Sequence, residues 1–160
     1  MNTVIIVDCD TDGYTASAIL VNYLHTLFPT YIQHHLIYYM HDSKQHGLKD
    51  CIDWILEKDF VSLVICPDSA SNDYEEHKKL KQAGINTIVL DHHDAEYISQ
   101  DAIVINNQLS SYPNKNLSGA GIVWQFCRYL DKILNINNAD KYRDLVALGL
   151  DADMMSLTDI

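Results

Sequence analysis

Asp8-Cys9-Asp10-Thr11-Asp12-Gly13 packs three carboxylates into five residues, directly after the apolar run Val4-Ile5-Ile6-Val7. Carboxylates this close repel one another, and in a cleft of low dielectric they cannot all stay ionised without cations between them. A metal site and a solvated acidic turn fit the pattern equally, as does a helix N-terminus whose dipole favours acidic residues. The later ligand spacing of an EF-hand calcium loop is missing. Asp68, in Cys66-Pro67-Asp68-Ser69, reads by itself more simply as a helix cap, with Ser69, Ser71, Asn72 and Asp73 as rivals for that role. The sharper signal is Asp91-His92-His93-Asp94. Neutral imidazole is a ready ligand for manganese and other first-row metals, and flanking carboxylates can orient the rings. The other histidines (His25, His34, His35, His41, His46, His77) have no such setting, and the adjacent pair His34-His35 reads as strand or loop decoration.

The elements that must position these groups follow from hydrophobic periodicity. Short apolar runs at 4–7, 61–66 and 87–90 suit strands buried on both faces, with further strands expected at 32–40 and 102–105. Helical spacing is expected over 14–28, where Pro29 ends it, over 48–56, over 73–82 ahead of Ala83-Gly84, over 122–134 and over 139–150. Strands alternating with helices predict an α/β fold, a mostly parallel sheet of about five strands flanked by helices in Rossmann-like layers. Such sheets bind ligands beyond the carboxyl ends of their strands. Asp8, Asp68 and Asp91 each follow one of the buried runs, so the three acidic motifs are expected to converge there.

The 160 residues fit one domain with a sizeable core. Four cysteines (Cys9, Cys51, Cys66, Cys127) show no paired spacing and read as reduced core residues of a cytoplasmic protein. Met1-Asn2-Thr3-Val4 lacks the basic region and cleavage site of a signal peptide, and no apolar run is long enough to span a bilayer. A net charge of −11 argues against long-range capture of nucleic acid through a basic patch, yet suits a cation site.

Four motifs in order carry a resemblance to the DHH phosphoesterase superfamily: Asp8-Cys9-Asp10-Thr11-Asp12-Gly13, Pro67-Asp68, Leu90-Asp91-His92-His93 and Ala152-Asp153-Met154-Met155. Within it the chain is similar to the RecJ branch of single-strand exonucleases, through Leu117-Ser118-Gly119-Ala120-Gly121 and Ala147-Leu148-Gly149. The resemblance implies that Asp10, Asp12, Asp68, His92 and Asp153 hold two divalent cations, manganese or magnesium, with Asp68 as a bridge. His93 is implied as a phosphate contact. Many relatives carry a histidine ligand at the position of Ile6, for which Asp8 is expected to substitute. Water activated between two metals would then attack phosphorus in line. Backbone amides at Ser118 and Gly119, at an expected helix start, are candidates to stabilise the developing charge, with a plain helix cap the favoured alternative. Asn106, Asn107, Tyr14 and Tyr112 are weaker candidates.

Residues 1–160 are thus expected to form a DHH catalytic domain without the second, substrate-binding domain of its relatives, so that such a domain or a partner would close the cleft. The expected activity is exonucleolytic, on single-stranded DNA or short oligonucleotides. The alternatives are a cyclic-dinucleotide or small-molecule phosphoesterase or pyrophosphatase, and a non-catalytic scaffold with the same fold.

Overall fold

Val4, Ile5, Ile6 and Val7 alternate between two hydrophobic layers, which fixes the first strand in the middle of a sheet covered on both faces. The computed structural model describes residues 2–42 and 45–156. The ends of the expected domain, residue 1 and residues 157–160, lie outside the described residues. The strands are β1 (Asn2–Val7), β2 (Leu36–Met40), β3 (Val61–Pro67), β4 (Asn86–Asp91) and β5 (Ile103–Asn106). All pair in parallel, in the order β2-β1-β3-β4-β5. The helices are α1 (Thr11–Leu27), α2 (Pro29–His35), α3 (Ile52–Leu56), α4 (Tyr74–Gln82), α5 (Gly119–Leu134) and α6 (Arg143–Ala152).

One core lies between the sheet and α1, α5 and α6, where Ile5, Val7, Ile65 and Leu90 meet Ile19, Leu20, Val123 and Leu150. The other lies beneath α3 and α4, where Val4, Ile6, Val64 and Val89 meet Leu48, Ile52, Ile55 and Leu80. Ile6 is fully buried in this second core. Among the described residues no helix is long and apolar enough to cross a membrane. Cys51, Cys66 and Cys127 are buried and free as expected, but Cys9 is only half-buried, at the strand end and outside the core.

The fold departs from the periodicity in three places. Pro29 does not simply stop α1. It starts α2, because a first-turn position needs no backbone N–H and proline's φ already suits a helix. Residues 29–35 are therefore helical, and the strand expected over 32–40 is only β2. His34 and His35 accordingly sit in the last turn of a helix, with His35 Nδ1 2.9 Å from Asn2 Oδ1. The helix expected over 48–56 shortens to α3, since the Leu48 amide is given to Asp73 Oδ2 (2.7 Å) and residues 48–51 form a turn. The last segment begins as a 3-10 turn, Ala139–Tyr142, before α6.

Asp131 accounts for that 3-10 turn. Asn135 ends α5 in left-handed backbone, and Asp131 Oδ2 then accepts the amides of Asn138 (2.8 Å) and Ala139 (2.7 Å). Its Oδ1 accepts the hydroxyl of fully buried Tyr23 on α1 at 2.8 Å. Burial alone would raise the Asp131 carboxyl, but these donors outweigh it and hold the group below its ordinary range. Asp131→Ala is expected to cost about 2–4 kcal/mol, since it orphans three donors of which one is a buried phenol. A carboxyl depressed in the folded state contributes stability above its unfolded value of about 3.9 and loses it as the pH falls through the folded value. Urea unfolding should therefore show a gap between wild type and variant that is constant from pH 7 to 5 and narrows below about pH 4.

Candidate metal centre

The sheet reverses its winding between β1 and β3, and the crevice at such a switch point is where ligands bind in open α/β sheets. Register then lines up the acidic positions. Ile5 pairs with Ile65, so three residues on Asp8 stands beside Asp68. Pro67 pairs with Leu90, so one residue on Asp68 stands beside Asp91. The Asp68 amide donates to Leu90 O at 2.8 Å, which fixes this alignment. Asp68 and Ala70 both hold left-handed backbone, φ 63° and 78°. Such strain at non-glycine residues is typical of functional turns. Asp68 caps no helix, because Asp73 takes the position before α4.

Asp10 is the N-cap of α1 and its Oδ1 accepts the Gly13 amide at 2.8 Å, which leaves Oδ2 for other use. The cap and ligand readings of the first motif are thus compatible. Asp12, in the first turn of α1 and buried, reaches across to α5: Oδ2 accepts the Gly119 amide at 2.6 Å and Oδ1 that of Ala120 at 3.1 Å. Ser118 is the N-cap, with Oγ accepting the Gly121 amide at 3.4 Å. Ser118 is thus the plain helix cap favoured from the sequence, and the anion held at this helix start is Asp12. Asp153 follows the end of α6 and is exposed.

His92 gathers the cluster. Its Nε2 lies 3.2 Å from Asp68 Oδ1, 3.6 Å from Asp153 Oδ2 and 3.8 Å from Asp12 Oδ2. Three sets of ligand atoms each fall within 4.8 Å of one another: Asp8, Asp10 and Asp68; Asp12, His92 and Asp153; and Asp68, His92 and His93. Every ligand expected from the sequence is in at least one set, with Asp68 in two. A cavity of about 120 Å³ opens between Asp10, Thr11, Asp12, Ala152 and Asp153.

The electrostatics are those of a site short of positive charge. Burial, then the charges of Asp12 and Asp91, push the Asp68 carboxyl up to about 10. Burial, with Asp12, likewise raises Asp153 against the opposing pull of His92 and His93. Asp8 Oδ1 and Asp68 Oδ1 are buried without a hydrogen bond, since His92 is near Asp68 but not aligned to donate. Oxygen-rich, partly imidazole donor sets with unsatisfied buried carboxylates fit divalent cations.

Asp91 plays a different part. Its Oδ1 accepts the amides of His92 (2.8 Å) and His93 (3.2 Å) and faces His93 Nδ1 at 2.7 Å, while Oδ2 accepts the Ser71 amide at 3.0 Å. Burial would raise this carboxyl, but those bonds, led by His93, hold it far below the ordinary range. In return the bond to Asp91 raises the His93 imidazole despite partial burial. Asn106 steadies the same turn by donating to Ser71 Oγ (2.8 Å) and His93 O (2.9 Å). Asn107 binds Asn114 O in the following loop. Tyr14 is exposed next to the acidic turn, and Tyr112 is exposed on the wall of a separate apolar cavity.

Sequence reasoning missed two features. His46, on the loop after β2, brings Nδ1 to 2.8 Å from Asp8 Oδ2, and its ring meets that of His93 edge-on at 4.9 Å. A clue existed: β2 neighbours β1, so its trailing loop must open on the same crevice. The other is glycine packing. A Cβ at Gly119 would overlap the Asp68 carboxyl, one at Gly149 the Asp12 carboxylate, and one at Gly13 would stand 2.6 Å from Asp8 Cβ.

Comparison with known proteins gives a consistent set of matches. The family model for the DHH family, N-terminal domain, matches residues 2–150. The chain is 47% identical over 148 residues to YorK of Bacillus subtilis (strain 168), named as an SPbeta prophage-derived single-strand DNA-specific exonuclease; the match covers 92% of this chain and 24% of YorK. It is 32% identical over 158 residues to the single-stranded-DNA-specific exonuclease RecJ of the same strain, covering 95% of this chain and 19% of RecJ. The crystal structure of an exonuclease RecJ bound to manganese superposes with a TM-score of 0.83 at 24% identity, covering 98% of this chain and 40% of that one. RecJ of Thermus thermophilus in complex with Mn2+ gives 0.76 at 24% identity, covering 95% and 21%. These two likenesses speak for the fold. The chain spans about a quarter of the length of YorK and less of RecJ.

Proposed function

The chain belongs to the DHH family, and on that premise we propose that it is the catalytic portion of a metal-dependent phosphodiesterase, a RecJ-like exonuclease acting on single-stranded DNA or short oligonucleotides. The observation that carries this reading is the sharing of Asp68 and His92 among three overlapping ligand sets. Asp8, Asp10 and Asp68 would hold one cation, and Asp12, His92 and Asp153 the other, with Asp68 between them. Manganese suits the carboxylate–imidazole donors and is the ion bound in the two RecJ structures; magnesium is the alternative. When bound, the two ions acidify water and polarise the phosphoryl oxygens.

The chain's own residues supply the geometry. Asp91 accepts the Nδ1 hydrogen of His93 and favours its imidazolium form, whose Nε2–H is then free to donate to a phosphoryl oxygen at the cleft mouth. The α5 amides at Gly119 and Ala120 keep Asp12 turned toward His92. In this reading Gly119 acts on the phosphate only through that carboxylate, and Ser118 only as the cap that starts α5. Two divalent cations would offset about four negative charges where the phosphate docks, which reconciles an acidic chain with an anionic substrate. A further domain or a partner closing the cleft is part of the proposal, as is a cytoplasmic setting, supported by the four free cysteines.

The test is turnover of labelled single-stranded DNA, dinucleotides, cyclic dinucleotides and pyrophosphate with Mn2+, alongside Mn2+ calorimetry. Mononucleotide release from the long strand, abolished by chelation and restored by Mn2+, is the expected result. Activity on dinucleotides or cyclic dinucleotides alone would overturn the exonuclease assignment. A folded protein that binds no Mn2+ would reduce the chain to a scaffold.

A further inference from the structure

The loop after β2 is fastened on both sides of a single side chain. Gln45 O accepts the Cys9 thiol at 3.5 Å. Gly47 O lies 3.0 Å from Nε2 of buried His41 and accepts the Cys51 thiol at 3.6 Å. The next amide, of Leu48, is held by Asp73. Gly47 itself has φ 73°, and a Cβ there would overlap Asp73 Oδ2, so glycine alone fits. Between these anchors His46 is delivered to Asp8, yet its own side chain remains 45% exposed. Core packing does not account for a half-exposed ring, and an imidazole–carboxylate pair at the surface contributes little to folding. The partner at the other end is different: Asp8 is buried, and the oxygen not bound to His46 has no hydrogen bond.

We propose that His46 is a positioning residue of the metal centre, holding Asp8 by Oδ2 so that Oδ1 faces the set formed with Asp10 and Asp68. The inference rests on the two-metal reading above. An ionised carboxylate only accepts, so Nδ1 carries the hydrogen, and the hold does not depend on the state of Nε2. Partners of this kind orient metal ligands, and their removal typically weakens metal binding roughly 10–100-fold. The arrangement confines the effect to one of the two cations, because Asp12, His92 and Asp153 do not touch His46.

The experiment titrates Mn2+ into wild type, His46→Ala and His46→Asn, by calorimetry and by electron paramagnetic resonance of bound ion. His46→Ala is expected to weaken one Mn2+ by roughly 10–100-fold and leave the other within about threefold. His46→Asn should recover most of the loss, because its amide nitrogen stands close to where Nδ1 was. Two Mn2+ bound by His46→Ala as in wild type would overturn the inference, as would equal impairment of Ala and Asn. Should His46→Ala fail to fold, His46→Phe keeps the bulk of the ring without the donor, and wild-type binding by that variant is equally fatal. A folded wild type that binds no Mn2+ would fell the two-metal reading itself, a result distinct from either.

Discussion

Asp68→Asn is expected to abolish Mn2+-dependent hydrolysis and, in the same protein, to stabilise the metal-free fold. Asp68 is 1% exposed, one of its oxygens has no partner, and its carboxyl is pushed up to about 10 by burial and by Asp12 and Asp91. In the metal-free protein at neutral pH it is a neutral acid, whereas in the unfolded chain it ionises at about 3.9. The folded state therefore binds the extra proton, and the contribution of Asp68 to stability falls as the pH rises from about 4 toward 10. Asparagine matches its size, is neutral throughout and tolerates the left-handed backbone at φ 63°. Without metal, the variant should melt above wild type at pH 8 by a few degrees, for a gain of about 1–3 kcal/mol, with the gap closing toward pH 4. Saturating Mn2+ reverses the order. Wild type gains about 2.7 kcal/mol at a hundred times Kd, while the variant lacks the charge shared by two ligand sets. Turnover should fall at least about 10³-fold, the loss of roughly 4 kcal/mol of transition-state stabilisation. Melting with and without Mn2+ across pH, set beside turnover, checks both halves. A variant less stable than wild type without metal would end the view of Asp68 as a charge kept for a cation, and retained turnover would remove it from the ligand sets.

The candidate site was legible in sequence because chemically costly residues recur at the ends of apolar runs. Asp8, Asp68 and Asp91 each close a strand whose burial on both faces shows in its composition, and parallel pairing follows from the alternation of strands with helices. What was hidden depends on strand order and on packing between helices, neither of which leaves a local pattern. His46 stood among ordinary histidines until β2 proved to be the neighbour of β1. Pro29 carries the same signal whether it ends one helix or begins the next, so residues 32–35 of α2 fall within the expected strand. Ser118 and Gly119 announced a helix start able to hold an anion, but not that the anion would be Asp12 from 107 residues away. The glycines of α5 and α6 likewise look like propensity defects until the carboxylates beside them are seen.

Gly149→Ala tests that last point where two effects oppose each other. Gly149 lies inside α6, where alanine ordinarily stabilises a helix by about 1 kcal/mol over glycine. The opposite is expected here: a loss of about 1–3 kcal/mol from overpacking and a fall in turnover of roughly 10²-fold. A Cβ at 149 would overlap Asp12 Oδ1, and would stand 2.7 Å from Ala120 Cβ and 2.9 Å from Thr15 Oγ1. None of these can yield cheaply. Asp12 is pinned by two α5 amides, Ala120 belongs to the first turn of α5, and the Thr15 hydroxyl donates to Asp12 O at 3.0 Å. Relief must come from α6 moving outward. Asp153, whose amide donates to Gly149 O at 3.0 Å, moves with it and away from His92. Because catalysis by positioned groups tolerates less than an ångström of such displacement, the activity loss should exceed what the stability loss alone produces. The discriminating measurement is Mn2+ affinity on a variant whose far-UV circular dichroism matches wild type. Weaker binding with retained helix content places the damage in the ligand geometry. A variant more stable than wild type, with unchanged Mn2+ affinity and turnover, would mean that helix propensity wins and that α1, α5 and α6 have room for the methyl.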